Sequence, residues 1–227
     1  MLLSPRGDVL ESRSLDEILT SSPSLFRIRP IQPVGERRGD LFIDLFHANT
    51  VEWMNQAHLA ARDPIYAPRN VLVTSRRQDL VAIFDWDRTK LLWSWGPGEI
   101  SGPHDATVLE NGNILLFDNG LARGWSRVIE LDPLQKKIVW QYRAPVPEDF
   151  FTKSHGSNQR LPGGNTLITY SGKGRAFELT PEGEVVWEFL NPRINDRGQR
   201  ATIAKFWRYP IAFVEAILAK RELARGP

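Results

Sequence analysis

Residues 131–142, LDPLQKKIVWQY, read as the end of one strand, a polar turn and an apolar strand carrying a tryptophan. The segment recurs as LTPEGEVVWEFL at 179–190 and as FDWDRTKLLWSW at 84–95, so Trp93, Trp140 and Trp187 stand 47 residues apart. A fixed period of that size marks a fold of stacked units, none of which buries its apolar face alone. A second shared segment precedes each copy: HDATVLENGNILLF from 104, HGSNQRLPGGNTLITY from 155, and HANTVEWM from 47, which resumes after a loop-like insertion at 56–68 as PRNVLVTSR. In the middle repeat, period-two runs at 106–109, 113–118, 126–131 and 138–142 are separated by Asn-Gly, Gly-rich and Asp-Pro turns. They predict four short antiparallel strands, the unit of a β-propeller blade.

The expected fold is therefore all-β: a propeller of four-stranded antiparallel blades, incomplete at about three and a half blades, with a short C-terminal helix. One domain spans 1–227. A half blade and a short helix occupy 1–27, blades occupy 28–98 (with the insertion), 99–145 and 146–192, and 193–227 form a C-terminal extension. The half blade is read from LLSPRGDVLES, which matches ELTPEGEVVWE with Gly7 where Gly183 stands. SLDEILTSS after it is a Ser-capped helix. IAFVEAILAKREL, from 211, has helical periodicity and is expected to pack on the rim.

A 41% hydrophobic content with eight Trp supplies a sizeable core. Lys plus Arg number 29 against 27 Asp plus Glu, so no charge excess points to nucleic acid. The absence of cysteine excludes disulfides, thiol nucleophiles and Cys-ligated metals. No apolar run approaches the roughly 18 residues of a membrane span, and the N-terminal stretch lacks the pattern of an export signal.

In a blade the first strand lines the central channel and the second runs antiparallel to it, so the start of one and the end of the other open on the same face. His47, His104 and His155 begin first strands. Arg76, Asn119 and Ser171 lie six residues after the aligned Asn70, Asn113 and Asn165, at the ends of second strands. All six are expected to ring one mouth of the channel, with Asn49 pointing into it because side chains alternate along a strand. Structural roles compete. A histidine at a blade start serves as a hydrogen-bonding residue in some propellers, the Trp set reads as packing, and His58 reads as a solvated loop residue. Three histidines on one channel could hold zinc, but no compact ligand pair accompanies them. Neither a metal nor a cofactor is expected.

The segments LFHANTVEWM, VLVTSRRQDLVAIFDWDRTKLLWSWGPG, SGPHDATVLENGNILLFDNG, SRVIELDPLQKKIVWQY, GSNQRLPGGNTLITYSGKGRAFELTPEGEVVWEFLNP and RYP resemble, in this order, the second half of the bacterial arylsulfotransferase family. The resemblance spans about residues 41–210. It implies a six-bladed propeller that moves a sulfuryl group from an aryl sulfate to a phenolic acceptor without a nucleotide donor. It further implies a transiently sulfated histidine, by position His104, with His47, Asn49 and Arg76 around the sulfuryl group and Ser157 as a hydroxyl contact. His155 and Asn119 join the substrate-binding set from their places at the mouth. A neutral imidazole, ordinarily titrating near 6.5, is a nucleophile at pH 7 without a base, and fixed donors suit charge spreading over sulfuryl oxygens. Asp105 is left between orienting His104 and capping its strand.

The family suggests a periplasmic or secreted protein, whereas the leader common in it is not found here. Half of six blades implies either a fragment of a larger propeller enzyme or a ring closed by self-association through open blade edges. The competing reading is a catalytically silent propeller that binds a partner through its mouth. A quinone-dependent dehydrogenase shares Trp-bearing blades but lacks its metal-binding Glu/Asn/Asp set here.

Overall fold

The computed structural model describes residues 1–33, 35–37 and 39–225. It opens with a hairpin, β1 (Leu2–Leu3) and β2 (Val9–Glu11), followed by helix α1 (Leu15–Thr20). Ser14 caps α1 by accepting the backbone N–H of Glu17, and Ile18 and Leu19 are buried, as the Ser-x-x-Glu spacing predicts. A second hairpin, β3 (Gly35–Arg37) and β4 (Asp40–Phe42), is one that the repeat pattern does not announce.

Three four-stranded antiparallel sheets follow, each with its strands in chain order. The first blade holds β5 (Ala48–Trp53), β6 (Asn70–Ser75), β7 (Leu80–Asp85) and β8 (Lys90–Trp95). The second holds β9 (His104–Val108), β10 (Ile114–Asp118), β11 (Arg127–Asp132) and β12 (Lys137–Tyr142). The third holds β13 (Ser157–Arg160), β14 (Thr166–Tyr170), β15 (Arg175–Leu179) and β16 (Val185–Leu190). The fold is thus all-β and propeller-like, and among the described residues the sheets do not close into a ring.

Blades stack face to face, so a middle strand is apolar on both sides and reads as a continuous run. In β10, Ile114 and Leu116 enter the core shared with the first blade, beside Ile83 and Trp93, while Leu115 and Phe117 enter the core shared with the third, beside Phe150 and Phe177. The two-residue period of a strand distributes side chains between two interfaces rather than between core and solvent. A third core joins α1 to the first blade through Ile18, Leu19, Phe84 and Leu91. The insertion at 56–68 is more than a solvated loop. It makes two 3-10 turns, Ala57–Leu59 and Pro64–Tyr66, buries Leu59, Ile65 and Tyr66 between the first two blades, and donates the Tyr66 hydroxyl to the Gly112 carbonyl at 3.0 Å.

The outer strands carry a recurrent link. The Trp93 indole of the first blade donates to the Pro133 carbonyl of the second at 2.8 Å, and Trp140 of the second donates to Pro181 of the third at 2.9 Å. The β1–β2 hairpin belongs to the same series. Its pair Leu3↔Val9 has the register of Leu179↔Val185 and, with a turn one residue shorter, stands where Phe84↔Leu91 and Leu131↔Ile138 do, each beside a register shift. It is therefore the outer half of a blade, and its link runs in reverse: Trp86 of the first blade donates to the Glu11 carboxylate at 2.7 Å.

Helix α2 (Ile211–Arg225) forms, but it does not pack on the rim as expected: residues 211–220 are exposed throughout. Ile211, Val214 and Leu218, an apolar stripe along it, are left exposed. No helix described is long and apolar enough to cross a membrane.

Candidate functional site

Two of the innermost strands are irregular where they approach the mouth. In β5 the register shifts between Ala48 and Thr50, and in β9 it shifts between Leu115 and Phe117 of the partner strand, leaving Asp105 at φ 49°. Such bulges re-aim side chains next to sites. They also break the equivalence of the three histidines. His104 lies within its strand, opposite Phe117, whereas His47 (φ 46°) and His155 (φ 61°) precede theirs.

His47, Asn49, Arg76, His104, Asp105, His155 and Ser157 line one cavity of about 510 Å³, together with Ser154, Gly156, Ala204 and Lys205, a volume suited to a small ligand. A larger cavity of about 700 Å³, lined by Glu52, Glu130, Arg160 and Trp207, lies at the far ends of the innermost strands.

His104 is held in one tautomer. Its Nδ1 approaches the Gly102 carbonyl at 3.0 Å and the Asn119 side-chain oxygen at 2.7 Å. Asn119 is fully buried, and its amide nitrogen donates to the carbonyls of Thr152 and His155, both at 2.8 Å, which fixes its oxygen toward the ring. Both Nδ1 partners are acceptors, so Nδ1 carries the proton and Nε2 keeps its lone pair. Burial, more than any other influence, holds the His104 pKa below its ordinary value, and the charges of Arg76 and His47 push the same way against the two hydrogen bonds. The ring is therefore neutral with a basic Nε2 at pH 7.

Around it, Arg76 reaches across to donate to the Lys153 carbonyl at 3.1 Å. His47 is exposed and pairs through Nδ1 with the Asp44 carboxylate. Asn49 donates to the Pro103 carbonyl at 2.9 Å and accepts from Thr74 at 2.6 Å. The Ser157 hydroxyl is paired with that of Thr169 at 2.6 Å.

Two expected members stand back from the cavity. Asn119 lies behind His104 and holds it. Ser171 is buried, with its hydroxyl accepting the Gly156 N–H at 2.9 Å. Asp105 does neither of the things expected of it. Its carboxylate accepts the Asn158 N–H at 2.9 Å and pairs with Lys205 at 2.6 Å, tying the second blade to the third and to the extension. Lys205 was not anticipated, because it follows the last recognised repeat. The available signal was the triplet Arg208-Tyr209-Pro210, which echoes Arg160-Leu161-Pro162. Among the described residues, no group of three or more metal-binding side chains is placed to hold an ion.

A propeller whose channel mouth gathers a tautomer-locked imidazole, a second imidazole, a guanidinium and a lysine is suited to an anionic ligand. A model of the family described as Arylsulfotransferase (ASST) matches residues 2–192, and the chain belongs to that family. No curated protein sequence matches. Among solved structures, a protein of unknown function from Bacteroides caccae is 14% identical, with a TM-score of 0.45 over 70% of this chain and 53% of that one. A virginiamycin B lyase from Staphylococcus aureus is 16% identical, with a TM-score of 0.39 over 54% of this chain and 38% of that one. The Dos1 propeller is 12% identical, with a TM-score of 0.45 over 68% of this chain and 38% of that one. The chain thus spans about half the length of the first of these.

Proposed function

We propose that this chain carries a sulfuryl-transfer centre with His104 as its nucleophile, taking the group from an aryl sulfate and passing it to a phenol. The observation that carries the reading is the lock on His104, whose Nδ1–H is shared between two acceptors while Nε2 is left with its lone pair. In the first step Nε2 attacks sulfur, the S–N bond forms and the aryl O–S bond breaks. The phenolate leaves with the bonding pair and takes a proton from His47 in its protonated form or from water. The sulfated ring carries positive charge, which the Asn119 and Gly102 oxygens offset at Nδ1. Arg76, with Lys205 at the edge, faces the charge on the sulfuryl oxygens. In the second step the acceptor phenol gives its proton to the neutral His47 ring or to water, its oxygen attacks sulfur, the S–N bond breaks and Nε2 recovers its lone pair.

The test is 4-nitrophenyl sulfate with phenol, following nitrophenolate release, and a peptide mass measurement on protein quenched without acceptor. The expected result is turnover that disappears in His104→Ala, and a sulfuryl adduct on the peptide containing His104. A folded protein with no adduct, or one whose turnover survives His104→Ala, overturns the reading. Asn49 and Ser157 already hydrogen-bond within the protein, which favours a second reading as an anion-binding propeller without turnover. Saturable 4-nitrophenyl sulfate binding with no adduct would support it.

A further inference from the structure

The third blade ends in a surface prepared for another blade. In the second blade, Glu130 accepts from Asn113 at 2.7 Å and from Arg160 of β13 at 2.8 Å, and the Arg160 guanidinium lies 5.0 Å from the centre of the Trp140 ring. In the third, Glu178 accepts from Asn165 at 2.7 Å and pairs with Arg208, whose guanidinium lies 5.2 Å from the centre of Trp187. Arg208 therefore plays toward the third blade the part that Arg160, on the innermost strand of the following blade, plays toward the second. The segment around it is laid down accordingly. The Arg208 backbone exchanges hydrogen bonds with the Gln159 side chain, and the Phe206 N–H donates to Thr169. What is missing is the acceptor for Trp187. Trp93 and Trp140 each donate to a proline carbonyl in the next outer hairpin, whereas the Trp187 indole is 36% exposed and has no hydrogen-bond partner among the described residues.

The chain owns the matching piece at its other end. The β1–β2 hairpin has the register of an outer hairpin and carries Pro5 where Pro181 stands. One face is engaged with the first blade through Leu2 and Glu11. The other presents Leu3 (49% exposed) and Val9 (59% exposed), whose counterparts Leu131 and Ile138 pack in the core between the first two blades. We propose that the β1–β2 hairpin of a second copy docks on the third blade of the first. The Pro5 carbonyl accepts the Trp187 indole, and a composite blade forms from the inner segment of one copy and the outer hairpin of the next. The contact is head to tail, so it closes only as a ring. Two copies would make about eight blades, within the range of closed propellers. The contact stands on the repeat geometry alone, independent of the chemistry at His104.

The test is sedimentation of the whole chain over a wide dilution series, with circular dichroism as a check on folding. A Leu3→Glu, Val9→Glu double variant alters side chains already exposed in the single copy, and Trp187→Ala spoils the opposite surface. Each is expected to weaken association by about 30-fold or more, the scale of a hot-spot loss. Two results would each overturn the proposal: a wild-type chain monomeric at every concentration, or association that survives both variants.

Discussion

At the scale of single residues, the neutrality of His104 sets the pH behaviour. Its folded pKa lies below the unfolded value near 6.5, so the folded ring refuses a proton that the unfolded one accepts. Stability attributable to this residue is full above pH 6.5 and declines as pH falls below it toward the folded pKa. Transfer activity should hold its plateau down through pH 6.5 and fall only below, as read from kcat/KM for 4-nitrophenyl sulfate. An acid limb centred above 6.5 would contradict a buried, neutral nucleophile. Glu52 behaves oppositely. Burial raises its pKa, with Asp105 adding to the rise and the Val108 N–H opposing it. Its protonated form is favoured in the fold, so its contribution is full below the unfolded value and lost as pH rises through the raised one. Glu52→Gln keeps an oxygen for Val108 and removes the charge. It should raise the melting temperature at pH 7.5, with the advantage gone by about pH 4.

At the scale of elements, the blade strands were legible because turn chemistry and Trp spacing repeat, and the observed strands fall within a residue or two of the period-two runs. The bulges were not legible, since an extra residue in a strand leaves the alternation of neighbouring positions nearly unchanged. His47, His104 and His155 were thus aligned by sequence, although the backbone sets His104 inside its strand and the others before theirs. Asn119 could be placed at the end of its strand, but its burial depends on the loop at 150–155 folding over it. Two substitutions probe this layer. Gly156 has φ 98°, and a Cβ there would lie 2.6 Å from the Phe117 ring, the strand partner of His104. Gly156→Ala should cost about 1–3 kcal/mol and lower kcat by displacing that ring. Trp140→Phe removes the bond to Pro181 and should cost about 1 kcal/mol, a loss of roughly 2–4 °C in melting temperature. Trp187→Phe, with no such bond in the single copy, should leave the melting temperature of the dilute protein unchanged.

Over the whole molecule, protection is graded. Strands β6, β10 and β14 are buried along their whole length, whereas residues of β1–β2 and of α2 up to 220 are largely exposed. Amide exchange should follow that order, with the middle strands opening only in global unfolding and the N-terminal hairpin and α2 exchanging fastest. The joints between blades also differ in kind. Trp93 and Trp140 donate to amide carbonyls, which do not titrate, but the joint to the N-terminal hairpin ends on a carboxylate. Its pKa is lowered chiefly by the Trp86 indole and also by Arg69 and Arg13, while Arg69 is shared with Asp87. Because a lowered carboxylate keeps its contribution down to the ordinary value near 4.5 and loses it only below, acid beneath that value should unlatch the molecule from its N-terminal end, freeing the hairpin to proteases while the stack of blades behind it stays shut.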